Sequence, residues 1–526
     1  MHKLAQRDHQ HVWHPFTQMR DWLRREPIVI ASGQGAVLRD VNGREYLDAN
    51  SSIWTNLHGH NHPKINAAIR RQLKKIAHSS ALGLANEPAS WLAAKLVAEA
   101  NGIYDLRFTI YDSKGNSARK SEIGNRKLSK VFFSDDGSTA LEVALKLAYE
   151  FTRRTRSADS LSARKNTKPK LLSLEGAYHG DTVGAVALGH IDLFHQSYSG
   201  LVFKTDKVMS PYCYRCPFNR AQPERADARD YRNCNWECVQ KVEQKFSAQK
   251  KKGNPYAAFV FEPLIQGAAG MIPQPAGWLK RTAEIARDQG ALLIADEVMT
   301  GFGRTGILNP DLRTPASAFG SGAARRISGR VEVERRRVNS EFLFASRHEG
   351  VQPDFLCLAK GMTGGYLPMA ATLTTQKVFD AFLGEYAEFK TFFHGHSYTA
   401  NQLGAAASLA SLEILQSAES VRARARLQEL LHDELQNLWS LPNVGDIRQV
   451  GLIAGVELVK NWRTRRSFDL RERAGIRVCE AMAKRGVLTR PVGNVVVLMP
   501  PYCTTAAQLQ KMVASLRDGI AAALGK

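Results

Sequence analysis

Residues 353–368 read PDFLCLAKGMTGGYLP. Positions 354–359 form a short apolar run bounded by a proline, the pattern of a buried strand. The run ends on Lys360, and the glycines and threonine that follow give its side chain little cover. A lysine is seldom buried without a partner. It can sit at a strand end with its nitrogen in water. It can also be a Schiff-base lysine, held in an apolar pocket that lowers its pKa. Glycines beside it would let the backbone approach a cofactor closely. The rest of the chain decides between these readings.

Working outward, further apolar runs alternate with helical patterns. KVFFS (130–134), KLLSL (170–174), AAFVFEPL (257–264), GALLIADEV (290–298) and MAATLTT (369–375) read as strands. TALEVALKLAYEFTRR follows the first, and GWLKRTAEIARDQG (277–290) is an amphipathic helix closed by glycine. This alternation predicts an α/β fold, a mostly parallel sheet with helices on both faces. A large domain spans 53–415. A smaller α+β domain is built from 416–526 and joined by 1–52, where AVLRDVNGREYLDA predicts a hairpin. The chain has 526 residues, 44% of them hydrophobic, enough for two such cores.

Ligands of open α/β sheets bind beyond the carboxyl ends of strands. Four motifs fall there. Gly137 and Ser138 start a helix after the first strand, where N–H groups and a hydroxyl can hold a phosphate. Tyr178, beside His179, follows the second and can stack on a planar ring. Asp296 ends the GALLIADEV run, and its buried carboxylate demands a cationic partner such as a protonated pyridine nitrogen. Lys360 completes the set. Together they describe one cofactor, pyridoxal 5'-phosphate (PLP).

IADEVMTGFGRTG, LAKGMTGGYLP, FFSDDGSTALEVALK and GAYHGDT resemble the class III, fold-type I aminotransferases. HVWHPFTQM (11–19), TFFHGHSYTANQLG (391–404) and LTRPVGNVVVLMPPY (488–502) are similar to the 7,8-diaminononanoate synthases of biotin biosynthesis within that class. The resemblance implies that Lys360 and Asp296 are catalytic and that Gly137 and Ser138 hold the cofactor phosphate. It implies that His396 and Ser397 reach the phosphate of a neighbouring subunit, so that the enzyme is a homodimer. Phe16, Ile53, Trp54, Tyr178, Gly395 and Arg490 would bind substrate, Arg490 by a bidentate grip on a carboxylate. The expected reaction moves an amino group from S-adenosylmethionine to 8-amino-7-oxononanoate. The chain departs from the family pattern at Phe16, Ile53 and Val497, where aromatic or phenolic side chains are common. Lysine as donor therefore stands as an alternative, as does another ω-amino acid aminotransferase. The resemblance lapses at about 102–128 and 307–340, which read as inserts, the second a solvated arginine-rich loop.

The net charge of +22 raises a third reading, an inactive basic relative that binds nucleic acid. The charge argues otherwise, because 102–130, 151–170 and 307–340 carry +4, +6 and +4 in polar stretches with the Ser, Asn, Gly and Pro of surface loops. No nucleic-acid partner is expected. No run of about 18 apolar residues and no apolar leader follow the opening MHKLAQRDHQ, so a cytoplasmic, membrane-free enzyme is expected. Cys213, Cys216, Cys234 and Cys238 have the C-x2-C and C-x3-C spacing of a structural zinc site, or are four unrelated thiols on a surface excursion.

Overall fold

The computed structural model describes residues 1–102, 127–158, 168–189, 191–221, 232–306 and 342–525. The inserts expected at about 102–128 and 307–340 lie almost wholly outside the described residues.

Seven strands build the main sheet: β1 (Leu128–Ser134), β2 (Lys170–Leu174), β3 (Asp206–Val208), β4 (Tyr256–Phe261), β5 (Leu292–Asp296), β6 (Phe355–Leu358) and β7 (Ala370–Thr375). Their order is β1-β7-β6-β5-β4-β2-β3. Every residue of β4 and β6 is buried, as expected for central strands covered on both faces. The pairs β3–β2, β2–β4, β4–β5 and β5–β6 are parallel. Only β7 is reversed, running antiparallel to β6 and β1. The sheet is thus mostly parallel, and its forward strands all end on one edge.

Helix α1 (Gly137–Ala158) leaves that edge directly after β1 and packs on β6 and β7. Asp136 caps its start, accepting from the Thr139 N–H at 2.9 Å. Helix α2 (Trp278–Asp288) buries Trp278, Leu279, Thr282, Ala283 and Ala286, an i, i+1, i+4, i+5, i+8 stripe facing the sheet.

The chain ends meet in a smaller domain. Ile30–Gln34, Val37–Asp40 and Glu45–Asp48 form an antiparallel meander whose second and third strands are the expected hairpin. Its last strand pairs in parallel with Val487–Leu488, so both termini share one sheet. Val444–Val450, Ile453–Asn461, Val495–Leu498 and Pro491–Val492 make a second, antiparallel sheet. Two backbone bonds, Met499 N–H to the Ala49 carbonyl (2.8 Å) and Tyr502 N–H to that of Leu57 (2.7 Å), fasten the segment after Asp48 to the C-terminal region. That segment reaches the carboxyl edge of the main sheet. Among the described residues no helix is long and apolar enough to cross a membrane.

Candidate active site

Parallel strands bring their ends together, and the end residues here carry the chemistry. Asp296 closes β5 and is buried. Its Oδ2 accepts from Nδ1 of the buried His179 at 2.7 Å, and its Oδ1 from the Val298 N–H at 3.1 Å. An ionised carboxylate offers about four acceptor positions, so capacity remains for one further N–H. Lys360 follows β6, the neighbour of β5, and has a left-handed φ of 44°. Burial lowers its pKa, against the opposing pull of Asp296 and Glu262. Its Nζ lies 4.6 Å from the centroid of the Trp54 ring.

Two more carboxylates crowd this edge. Glu262 follows β4 and accepts from the N–H groups of Gly267 (2.8 Å) and Tyr178 (3.3 Å). Glu297 accepts from the Ala345 N–H, the Ser346 N–H and the Ser346 hydroxyl at 2.5, 2.8 and 2.7 Å, tying the chain after residue 341 to β5. Burial pushes each up to about 7. Neither was singled out from sequence, although Glu262 stands at a strand end just as Asp296 does.

The start of α1 meets the loop after β2. Ser138 Oγ accepts from the Asp181 N–H at 3.2 Å. Gly180 has φ 117°, and a Cβ there would collide with Ser138, so only glycine permits this approach. Tyr178 donates to Asp181 at 2.7 Å and stacks parallel to His195 at 6.0 Å; burial raises its phenol pKa. Asp181 and His195 are further residues that the sequence reading passed over.

The structure brings Lys360, Asp296, Gly137, Ser138, Tyr178 and Trp54 to one edge. Ile53 is beside Trp54 and half exposed. Phe16 is exposed, with its ring edge-on to Phe194 at 5.3 Å. Gly395 and Ser397 are exposed, while His396 Nδ1 bonds Asp135 at 2.8 Å in the same chain, two residues before α1. Arg490 is exposed between Leu488 and Pro491. Val497 is fully buried in an apolar cluster with Met271 and Met299, against which Trp54 packs. Of the four cysteines only Cys238 is buried. Its thiol is pushed up to about 11 by burial, with Cys216 and Cys234 adding to the rise. Among the described residues no three His, Cys, Asp or Glu side chains are gathered so as to hold a metal ion.

The segment that delivers Trp54 is backbone-strained. Ser51, Ser52, Ile53 and Trp54 have φ of 45°, 48°, 64° and 70°, a left-handed turn without a single glycine. L-residues resist this conformation by about 1–2 kcal/mol each. Gly365, φ 84°, lies beneath, where a Cβ would stand 2.8 Å from the Asn56 Cα. The turn thus presses against the loop that carries Lys360.

These features define a class. A lysine and a buried carboxylate end adjacent strands, and a Gly-Ser helix start lies at the same edge, as a fold-type I PLP enzyme requires. Buried polar atoms without a partner, His179 Nε2 and Gln266 Oε1 among them, fit a site completed by a polar ligand. The family model for class-III aminotransferases matches residues 19–330 and 340–520, and the chain belongs to that family. It is a PLP-dependent aminotransferase.

An adenosylmethionine-8-amino-7-oxononanoate aminotransferase of Nitratidesulfovibrio vulgaris is 42% identical over 99% of this chain and 82% of its own length. The enzyme of the same name from Geobacter sulfurreducens is 41% identical, covering 98% and 96%. The crystal structure of the Methanocaldococcus jannaschii enzyme of that name superposes with a TM-score of 0.79 at 34% identity, covering 99% of each chain.

Proposed function

We propose that this enzyme transfers an amino group from S-adenosylmethionine to 8-amino-7-oxononanoate, giving 7,8-diaminononanoate in biotin biosynthesis. The observation that carries this reading is the near end-to-end similarity to relatives named for that reaction, with the lysine and the carboxylate in place.

When bound, PLP supplies an electron sink for the negative charge left at carbon after proton removal. The remaining roles belong to the chain. Lys360 Nζ takes the proton from the carbon that bears the donor's amino group and returns one on the cofactor side. Its lowered pKa suits a nitrogen that must spend part of the cycle unprotonated. Asp296 would keep a proton on the pyridine nitrogen, and the His179 N–H keeps that carboxylate oriented. Gly137 N–H and the Ser138 hydroxyl would hold the phosphate at the start of α1. Tyr178 and Trp54 wall the reacting carbon from water, with Phe16, Ile53 and Gly395 further out. Arg490 grips the acceptor's carboxylate.

The enzyme works as a cytoplasmic homodimer without membrane or nucleic-acid partners. In it, His396 and Ser397 complete the phosphate site of the neighbouring subunit. Zinc at Cys213, Cys216, Cys234 and Cys238 forms no part of this proposal, because no metal-holding group is assembled there among the described residues.

The burial of Val497 bears on the donor. An aliphatic residue there fills core beside Trp54 and does not by itself thin the pocket wall. That favours S-adenosylmethionine, whose sulfonium suits aromatic surroundings, over lysine. Mixing the PLP-loaded enzyme with each donor and following visible absorbance tests the choice. Bleaching by S-adenosylmethionine, with diaminononanoate formed once the acceptor is added, is expected. Bleaching by lysine alone at matched concentration would overturn the donor, and no turnover of 8-amino-7-oxononanoate would overturn the reaction.

A further inference from the structure

The left-handed turn at residues 51–54 closes on its own backbone, Trp54 N–H to the Asn50 carbonyl and Thr55 N–H to the Ser51 carbonyl at 2.9 Å each, but those bonds do not select its hand. A further set of bonds converges on the buried Asp48, at the end of the hairpin strand. Asp48 Oδ1 accepts from the N–H groups of Ser52 (3.0 Å) and Asn50 (3.3 Å). Its Oδ2 accepts from the Ser52 hydroxyl (2.8 Å) and from His60 Nε2 (3.0 Å). Asn56 in turn donates to His60 Nδ1 at 2.9 Å, which leaves the His60 proton on the nitrogen facing Asp48. One carboxylate therefore binds the start, middle and far end of the segment 48–60. Ser51 Oγ adds a bond to the Met499 carbonyl (2.7 Å), and the indole N–H of Trp54 is fixed by Asn50 Oδ1 (2.8 Å).

Everything so held ends at Trp54, whose ring faces Lys360 Nζ. In a strand or right-handed helix the same four residues would point their side chains elsewhere, since the sign of φ sets the direction of each Cβ. A favourable cation–π contact needs the ring within about 6 Å of the cation. The conformation that supplies it is one these residues would not adopt unaided.

We infer that Asp48 is a positioning residue of this enzyme: its carboxylate imposes the left-handed turn and thereby sets the Trp54 indole over the Lys360 nitrogen. The influence of Asp48 on Lys360 runs through Trp54, and His60 assists by orienting the carboxylate. The inference rests on Lys360 being the reactive lysine.

The test uses the protein freed of PLP and needs no substrate, so it can fail while the proposed reaction stands. Competitive acetylation across pH, with mass spectrometry of the peptide carrying Lys360, reads the basicity of that amine. Removing the ring in Trp54→Leu should lower the Lys360 pKa by about half a unit to one unit. Asp48→Asn should lower it by a similar amount, because Asn has a single acceptor oxygen and its amide NH2 cannot accept. The double variant should fall no further than either single one, since the two changes break one chain of contacts. Asp48→Asn protein that melts at lower temperature yet keeps the wild-type Lys360 profile, while Trp54→Leu shifts it, would reduce Asp48 to a structural residue and overturn the inference. An unshifted profile in both variants overturns it too. Should Asp48→Asn not accumulate as folded protein, Ser52→Ala removes one bond to the same carboxylate. A smaller shift in the same direction supports the inference, and none contradicts it.

Discussion

Asp48 and Glu297 are both buried carboxylates that pin a segment of chain to the active site, yet their surroundings treat charge oppositely. Burial works against ionisation at each. At Asp48 the bonds from His60 and Ser52 outweigh it, and the carboxyl is held below its usual range. At Glu297 three bonds from Ala345 and Ser346 do not, and the carboxyl rises to about 7. Bond count alone does not separate them. Asp48 faces a histidine and carries no neighbouring acid among its partners, whereas Glu297 lies next in sequence to Asp296, whose charge adds to its rise. A sheet edge that concentrates carboxylates for catalysis thus makes its own scaffold sensitive to pH, while the strained turn opposite is fastened by an acid kept ionised.

The largest effect is expected at the lysine beside Trp54: Lys360→Ala should abolish turnover while PLP still binds reversibly, seen as cofactor lost on dialysis. Asp296→Asn should keep the fold, judged by circular dichroism, and lose about 3–4 kcal/mol of transition-state stabilisation, on the order of several hundred-fold in kcat.

The two scaffold acids should then differ in sign with pH. The folded state keeps a proton on Glu297 up to about pH 7, whereas the unfolded chain releases it near 4.3. Folded protein therefore binds more protons in that window, and this group makes stability fall as pH rises through it. Glu297→Gln should flatten the melting-temperature profile between about pH 4.5 and 7. Full expression of the shift would be worth about 3–4 kcal/mol. Asp48 has a depressed folded pKa, so its contribution is present above about pH 4 and is lost as pH falls below that value. The melting penalty of Asp48→Asn, about 1–2 kcal/mol, should be greatest at neutral pH and shrink below pH 4. Parallel profiles for the two variants would dissolve the contrast.

Much of this was legible in the chain. Six of the seven main strands announce themselves as apolar runs, and Asp296 and Lys360 stand at the ends of two of them. β3 was missed because Asp206–Val208 is three residues long and carries a single aliphatic side chain. The reversal of β7 has no sequence signal, since a fully buried strand shows no alternation that could orient it. The turn at 51–54 was illegible for a different reason. Positive φ is normally flagged by glycine or asparagine, and Ser-Ser-Ile-Trp has neither. Its cause is Asp48, whose role depends on His60, twelve positions along the chain and adjacent only in the fold. Glu262 could have been found by asking of every strand end what had been asked of Asp296.

Lys360, on a strand end beside Asp296, is the lysine assigned to carry PLP. Borohydride reduction of the PLP-loaded protein, followed by proteolysis and mass spectrometry, reads this directly. Loss of the visible band and a single phosphopyridoxyl group on the peptide containing Lys360 are expected. Label on another lysine, or a reduced protein with no labelled lysine, would contradict the assignment.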